Sequence, residues 1–308
     1  MGMHMGPVGT ITNIKNHLYV LLATLLVAGS FLASEKLSSL INPISLTLLR
    51  FVCSVVLLSP FIMIKSEWYN KVLTVLPRAA IMSFFYSLFF ICFFESLKTT
   101  TSLNTATLYT LVPFFTALIS FFVLRHAVSP AKLLIYFLGA TGTCWVIFDG
   151  NIDSLLAFSL SKGDFIFVVG ALSMCCFSVS MKLLYRNDDM LVLVFCTLLC
   201  GAIWLLMALL VFGQPLDWHL LKGPAVFHMA YLVLGATIVT SYLFQSATVT
   251  LGPSKVMAYT YLNPAAVVLL ILLVDGVAIN WIILPGVILS TLATIFLQLD
   301  TKKPKALF

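Results

Sequence analysis

The sequence predicts an all-α integral membrane protein with ten transmembrane helices arranged as two inverted five-helix repeats. Three observations carry this. The chain is 61% hydrophobic and 9% charged, with a mean hydropathy of +1.09, whereas soluble domains run near 25% charged. Apolar runs, the pattern of membrane spans, recur ten times along its 308 residues. The pattern also repeats itself once. Ser102–Phe115 (SLNTATLYTLVPFF) matches Pro253–Ala266 (PSKVMAYTYLNPAA) at an offset of 151 that aligns Pro113 with Pro264 and Asp149 with Asp300. At an offset of 146, Gly29–Leu37 (GSFLASEKL) matches Cys175–Leu183 (CCFSVSMKL).

In chain order, the spans fall at about 17–34, 43–64 (interrupted by Arg50), 79–97, 101–124, 133–148, 165–181, 190–212, 229–249, 256–274 and 281–299. The longest gaps, about 65–78, 149–164 and 213–228, leave no room for a soluble domain. The organisation is therefore a tail at 1–16, repeats at 17–149 and 163–300, and a basic tail at 301–308. Five spans per repeat is odd, so the second repeat enters the bilayer upside down relative to the first. Inverted repeats are a common architecture of secondary transporters, with the substrate site at their interface.

The basic residues set an expected orientation. With the N-terminus inside, twelve lie on the inner side (Lys15, Lys65, Lys71, Arg78, Arg125, Lys132, Lys182, Arg186, Lys255, Lys302, Lys303 and Lys305). Only Lys36, Lys98, Lys162 and Lys222 lie outside. Both termini are thus expected in the cytoplasm of a plasma membrane, the inner membrane if the source is bacterial. The net charge of +6 is a topology signal. No basic soluble surface exists to hold nucleic acid, and no removable signal peptide is recognised at the start. All seven cysteines fall in predicted spans, as packing thiols rather than a disulfide framework. No metal or other cofactor is expected.

Arg50 is the costliest residue, since an arginine near a helix centre costs about 2.5–3.5 kcal/mol on insertion scales and usually faces the bundle interior. Glu95 closes the third span at a similar depth, so an Arg50–Glu95 pair sealing an outer gate is one expectation, and an interfacial carboxylate in contact with water the other. No other acidic residue lies within a span, which argues against a proton relay of buried carboxylates. Pro113 and Pro264 each remove a helical hydrogen bond and kink the chain. Asn104 and Tyr109 precede one, and Tyr259 and Asn263 the other. Together with Tyr86, Tyr242 and Gln245 they are the expected lining of a midplane cavity, interhelical hydrogen bonding being the alternative. The 25 phenylalanines are mostly lipid-facing or core. Trp68, Trp218 and Trp281 suit interfacial anchors. The small-residue ridge Gly286–Ser290–Thr294 suits close helix packing, internal or dimeric, in a monomer or weak homodimer. No hydrolase or phosphate-binding motif appears, so an enzyme is not expected.

These residues also give the chain a resemblance to the EamA family of the drug/metabolite transporter superfamily, over about residues 17–300. It rests on the GSFLASEK stretch ending at Lys36, the LTLLRF run with Arg50, the TSLNTATLYTLVPFFTALISFFVL helix and LGPSKVMAYTYLNPAAVVLLILLVDG. In the last, Gly252-Pro253, Pro264 and Asp275 fall where the family has them. Two departures stand out: Ala28 replaces the usual tryptophan of the first helix, and Arg125 stands where the first repeat usually ends in Gly-Glu. The resemblance implies ten helices with cytoplasmic termini, a central cavity, and export of amino acids, other metabolites or drugs. The expected activity is movement of a small organic metabolite, such as an amino acid or related compound, across the lipid bilayer by alternating access. Uptake or exchange of a nucleotide-like metabolite such as S-adenosylmethionine is the alternative within transport, and a membrane scaffold the alternative outside it.

Overall fold

In a bilayer the backbone must satisfy its own hydrogen bonds, and every long segment of the computed structural model is helical. It describes residues 7–38, 40–100, 102–125, 128–158, 160–276 and 281–299. The tail 301–308, Asp300, and the side chains of Glu35, Lys36 and Asp275 lie outside the described residues.

The helices are α1 (Pro7–Ser38), α2 (Pro43–Ile64), α3 (Ser66–Ser96), α4 (Ser102–Tyr109), α5 (Val112–Leu124), α6 (Pro130–Ile147), α7 (Ile152–Leu156), α8 (Lys162–Leu184), α9 (Met190–Val211), α10 (Pro224–Val233), α11 (Thr240–Leu251), α12 (Pro253–Ala258), α13 (Asn263–Asp275) and α14 (Leu284–Leu299). A π-helical segment, Leu234–Val239, joins α10 to α11, and a 3-10 segment, Tyr259–Leu262, joins α12 to α13. Among the described residues nine segments are long and apolar enough to cross a membrane, and α1 contributes a shorter apolar stretch, Ile14–Ser30.

Local chemistry sets the helix starts. Proline, whose missing N–H costs nothing in a first helical turn, opens α2, α5, α6, α10, α12 and α13. Asn42 caps α2 by accepting from the Ile44 amide at 2.9 Å. Ser161 and Asp164 form a reciprocal capping box at α8. The 65–78 stretch, expected as a loop, is instead helical and forms the first half of α3. Its polar residues lack the apolarity of a span, but nothing in it interrupts a helix before Pro77, and α3 carries that proline internally.

The packing between halves survives an exchange of their labels. α3 lies on α8, as α10–α11 lies on α1; α4–α5 lies on α8, as α13 lies on α1; and α2–α9, α5–α12 and α6–α14 pair counterpart with counterpart. Phe61, Phe122, Phe137, Phe165 and Leu210 are each more than 60% exposed, an apolar outer surface suited to lipid.

The Gly286–Ser290–Thr294 ridge is internal, packed on α6. A Cβ added to Gly142 would lie 2.8 Å from the Gly286 carbonyl oxygen and 2.8 Å from the Ser290 amide nitrogen. Beside it, Tyr261 donates from its hydroxyl to the Tyr136 carbonyl at 2.9 Å. At the end of the bundle where α8 turns into α9, Arg78 makes a two-pronged bond to Asp188 at 2.6 and 2.8 Å and a third to the Leu184 carbonyl at 2.9 Å.

Burial pushes the Asp188 carboxyl up, but the bonds from Arg78 and the Arg186 amide outweigh it and hold the group below the usual carboxylate range. A depressed carboxylate stabilises the folded state above its unfolded pKa of about 3.9, and that contribution is lost as pH falls through the lower folded value. Asp188→Asn is therefore expected to lower the melting temperature of the detergent-solubilised protein at pH 7, by roughly 1–3 kcal/mol of stability. The gap from wild type should narrow progressively below about pH 4. Gly142→Val is expected to destabilise by a similar amount, about 1–3 kcal/mol, through overpacking of α6 on α14, with no pH dependence.

Candidate functional site

The halves enclose a cavity of about 230 Å³. From α1 it is lined by Val27, Ser30 and Ser34, and from α2 by Arg50. Tyr86, Phe89, Phe90, Phe93 and Phe94 of α3 form an aromatic wall. Tyr109 of α4 meets Met174, Phe177, Ser178 and Met181 of α8. Ala236, Thr240, Ser241, Phe244, Gln245 and Thr248 come from the π segment and α11, and Met257, Thr260 and Asn263 from the α12–α13 span.

The two broken helices build matching walls. In an uninterrupted helix the amides of residues 113 and 264 would bond the carbonyls of Tyr109 and Thr260; proline has no N–H to give. Tyr109 and Thr260 are counterparts at the offset of 151, and both line the cavity. The first break tightens into i→i+3 bonds, Thr110 N to Thr107 O and Leu111 N to Leu108 O, both 3.1 Å. The second is the 3-10 segment. Met257, Thr260 and Asn263, on the last turn of α12, in the tightened segment and at the start of α13, all reach the cavity.

Arg50 is half-buried and lines the cavity. Its Nε donates to Thr237 Oγ1 at 3.1 Å and an Nη to the Ala236 carbonyl at 3.2 Å. Both acceptors belong to the π-helical segment, an irregularity often found at functional sites. Phe51, the next residue of α2, stacks on Tyr86 with ring centroids 5.7 Å apart, and Tyr86 stacks on Phe177 at 4.6 Å.

Of the seven residues expected to line the cavity, the structure brings Tyr86, Tyr109, Gln245 and Asn263 together there. It places the other three elsewhere. Asn104 donates to Asp164 Oδ2 at 3.1 Å, and Thr100 bonds the other carboxylate oxygen, tying the start of α4 to the start of α8. Tyr259 is buried with its hydroxyl 2.8 Å from His17 Nδ1. Tyr242 packs beside Tyr19, ring centroids 6.4 Å apart. It is three residues from Gln245, but the cavity arc of α11 is centred on Ser241, Phe244 and Thr248, leaving Gln245 at its edge and Tyr242 about 60° beyond that same edge.

The expected Arg50–Glu95 pair is not formed in this structure. Glu95 pairs instead with Lys98 at 2.7 Å, at the surface. Glu95 follows Tyr86 by nine residues, two and a half turns at 3.6 residues per turn, so it points to the opposite side of α3 from the cavity. Common depth places two residues at one level but says nothing of azimuth. The aromatic wall was the largest element missed in the sequence. Its signal is the doubled spacing Phe89, Phe90, Phe93 and Phe94, which marks one helical face.

Near the Met181 and Thr248 end of the lining, polar side chains make further contacts, of which only Ser254 to Ser120 joins the two halves. Lys182 Nζ donates to the Val249 carbonyl, Ser254 Oγ lies 3.3 Å from Ser120 Oγ, and Lys255 Nζ donates to the Gln298 carbonyl at 2.8 Å. From there the lining runs towards Ser34 and Phe94, near the other ends of α1 and α3.

The chain matches the EamA-like transporter family twice, over residues 14–148 and 161–299, and belongs to it. This is a family of membrane transporters, not of enzymes. The chain is 22% identical over 178 residues to "Uncharacterized transporter YyaM" of Bacillus subtilis (strain 168), a match covering 58% of each chain. A solved crystal structure shares the fold, with a TM-score of 0.71 at 18% identity over 91% of this chain and 95% of that one.

Because Arg50 and Glu95 have separate partners, the stability losses of Arg50→Ala and Glu95→Ala are expected to add within about 0.5 kcal/mol. A thermal-melt double-mutant cycle checks this; larger coupling would mean that the two meet in another state.

Proposed function

We propose that this protein is a secondary transporter that carries a small organic metabolite, of amino-acid size, across the membrane by alternating access. The observation that carries the proposal is the cavity between the halves, bordered by repeat-equivalent residues at two proline-broken helices. That is where transporters built from inverted repeats bind substrate. In this reading α1 supplies the tenth span, the halves are inverted, both termini are cytoplasmic, and the membrane is the plasma membrane. In the same reading export is the working direction.

Size and charge both favour a small metabolite over S-adenosylmethionine. Drug-sized ligands occupy pockets of about 300–1,000 Å³, above the 230 Å³ found here. A sulfonium cation would also face Arg50 with no carboxylate in the described lining to offset it.

Metabolite profiling of cells with and without the protein is expected to show altered export of at least one small metabolite. Tyr109→Ala should abolish that change at matched expression. No change in any flux, with a stable stoichiometric partner co-purifying, would replace transport with a scaffold role. A single cysteine at position 305 is expected to resist impermeant thiol reagents in intact cells and to react after lysis; labelling from outside would reverse the orientation.

A further inference from the structure

Among the described residues, the cavity lining holds one charge and nothing of opposite sign. Arg50 is the only ionic residue of the described lining, and its two hydrogen bonds go to neutral acceptors, a hydroxyl and a carbonyl. The ion pairs among the described residues are Arg78–Asp188 and Glu95–Lys98, neither of them part of the lining. A guanidinium has five N–H donors, so Arg50 keeps donors beyond the two it uses. A charge taken from water is costly unless paired, and intramembrane charges pair or mark substrate pathways. A second group is also left over. Gln245 is 3% exposed and lines the cavity, yet its Oε1 has no hydrogen-bond partner. The remaining walls are mostly apolar, led by the phenylalanines of α3.

We infer that the substrate is a small organic acid carried as a monoanion, its carboxylate on Arg50, a hydrogen-bond donor near Gln245 and its apolar body against Phe89 and Phe93. This rests on the transport reading and narrows it. A zwitterionic amino acid is a poorer fit, because its ammonium would find only the neutral side chains of Gln245 and Asn263. An amine would meet Arg50 with like charge. A dianionic phosphate would need a second cation, and Lys182, next to the lining residue Met181 on α8, is outside the described lining and engaged with the Val249 carbonyl.

Two matched sets of compounds test this on the purified full-length protein in detergent at pH 7. One is 3-phenylpropanoate, phenylalanine and 2-phenylethylamine; the other is 4-methylpentanoate, leucine and isopentylamine. The acids are expected to raise the melting temperature, in a saturable way, more than the zwitterions, and the amines not at all. Arg50→Gln should weaken acid binding about 10- to 100-fold, the range of a charge-assisted hydrogen bond. Arg50→Lys, which keeps the charge, should recover part of it. The wild-type series decides the matter even if a variant fails to fold. Protection by an amine or zwitterion equal to that by its acid, or no protection by either acid, would overturn the inference and leave the transport reading standing. Protection by an acid that wild-type proteoliposomes then fail to move would overturn both.

Discussion

A bilayer supplies no water to a broken helix, so each interruption of the i→i+4 ladder must be answered by other protein groups or by a polar cavity. The irregularities of the long spans obey this constraint. The break between α4 and α5, the π-helical segment between α10 and α11, and the 3-10 segment between α12 and α13 all contribute residues to one cavity: Tyr109, Ala236 and Thr260. The interior of the protein is organised by where its backbone departs from the α-helix.

Arg50 depends on the same arrangement. A wider π turn changes which carbonyls its residues can use, and here Ala236 O accepts from both Thr240 Oγ1 and Arg50, while Thr237 Oγ1 accepts from Arg50 as it donates to Leu232 O. The cation is held by backbone irregularity and hydroxyls rather than by a carboxylate. Among the described residues its charge is oriented by neutral acceptors and not neutralised by a carboxylate.

Much of this was legible in the sequence. The offset of 151 pairs Pro113 with Pro264, and the polar residues before them pointed to Tyr109 and Asn263. The cost of burying Arg50 pointed it to the bundle interior, and that of Gln245 pointed to a cavity beside it. What was not legible was azimuth. Glu95 shares a depth with Arg50 but faces the other side of α3, and Asn104 and Tyr259 neighbour the kinks but serve contacts with Asp164 and His17. Helix length was legible only where apolarity marks it, so the polar half of α3, which brings Arg78 to Asp188, passed for a loop. The π-helical segment, LGATIV, carries no proline or charge to announce itself.

That segment has a further consequence for how the eighth span reads. Ala225, Met229, Val233, Thr237, Ser241 and Gln245 are spaced by four, and all six are buried. In a straight α-helix of 3.6 residues per turn, residues four apart advance by about 40° per step, so five steps would carry such a stripe roughly 200° around the axis, onto the lipid side. The widened turn winds the register back, and it does so midway along the stripe. One surplus residue thus lets a single line of side chains, apolar in its first half and polar in its second, stay inward along the whole helix. Deleting any one residue between 234 and 239 would shorten that turn and rotate everything after it by about 100°, carrying Ser241 and Gln245 away from the cavity.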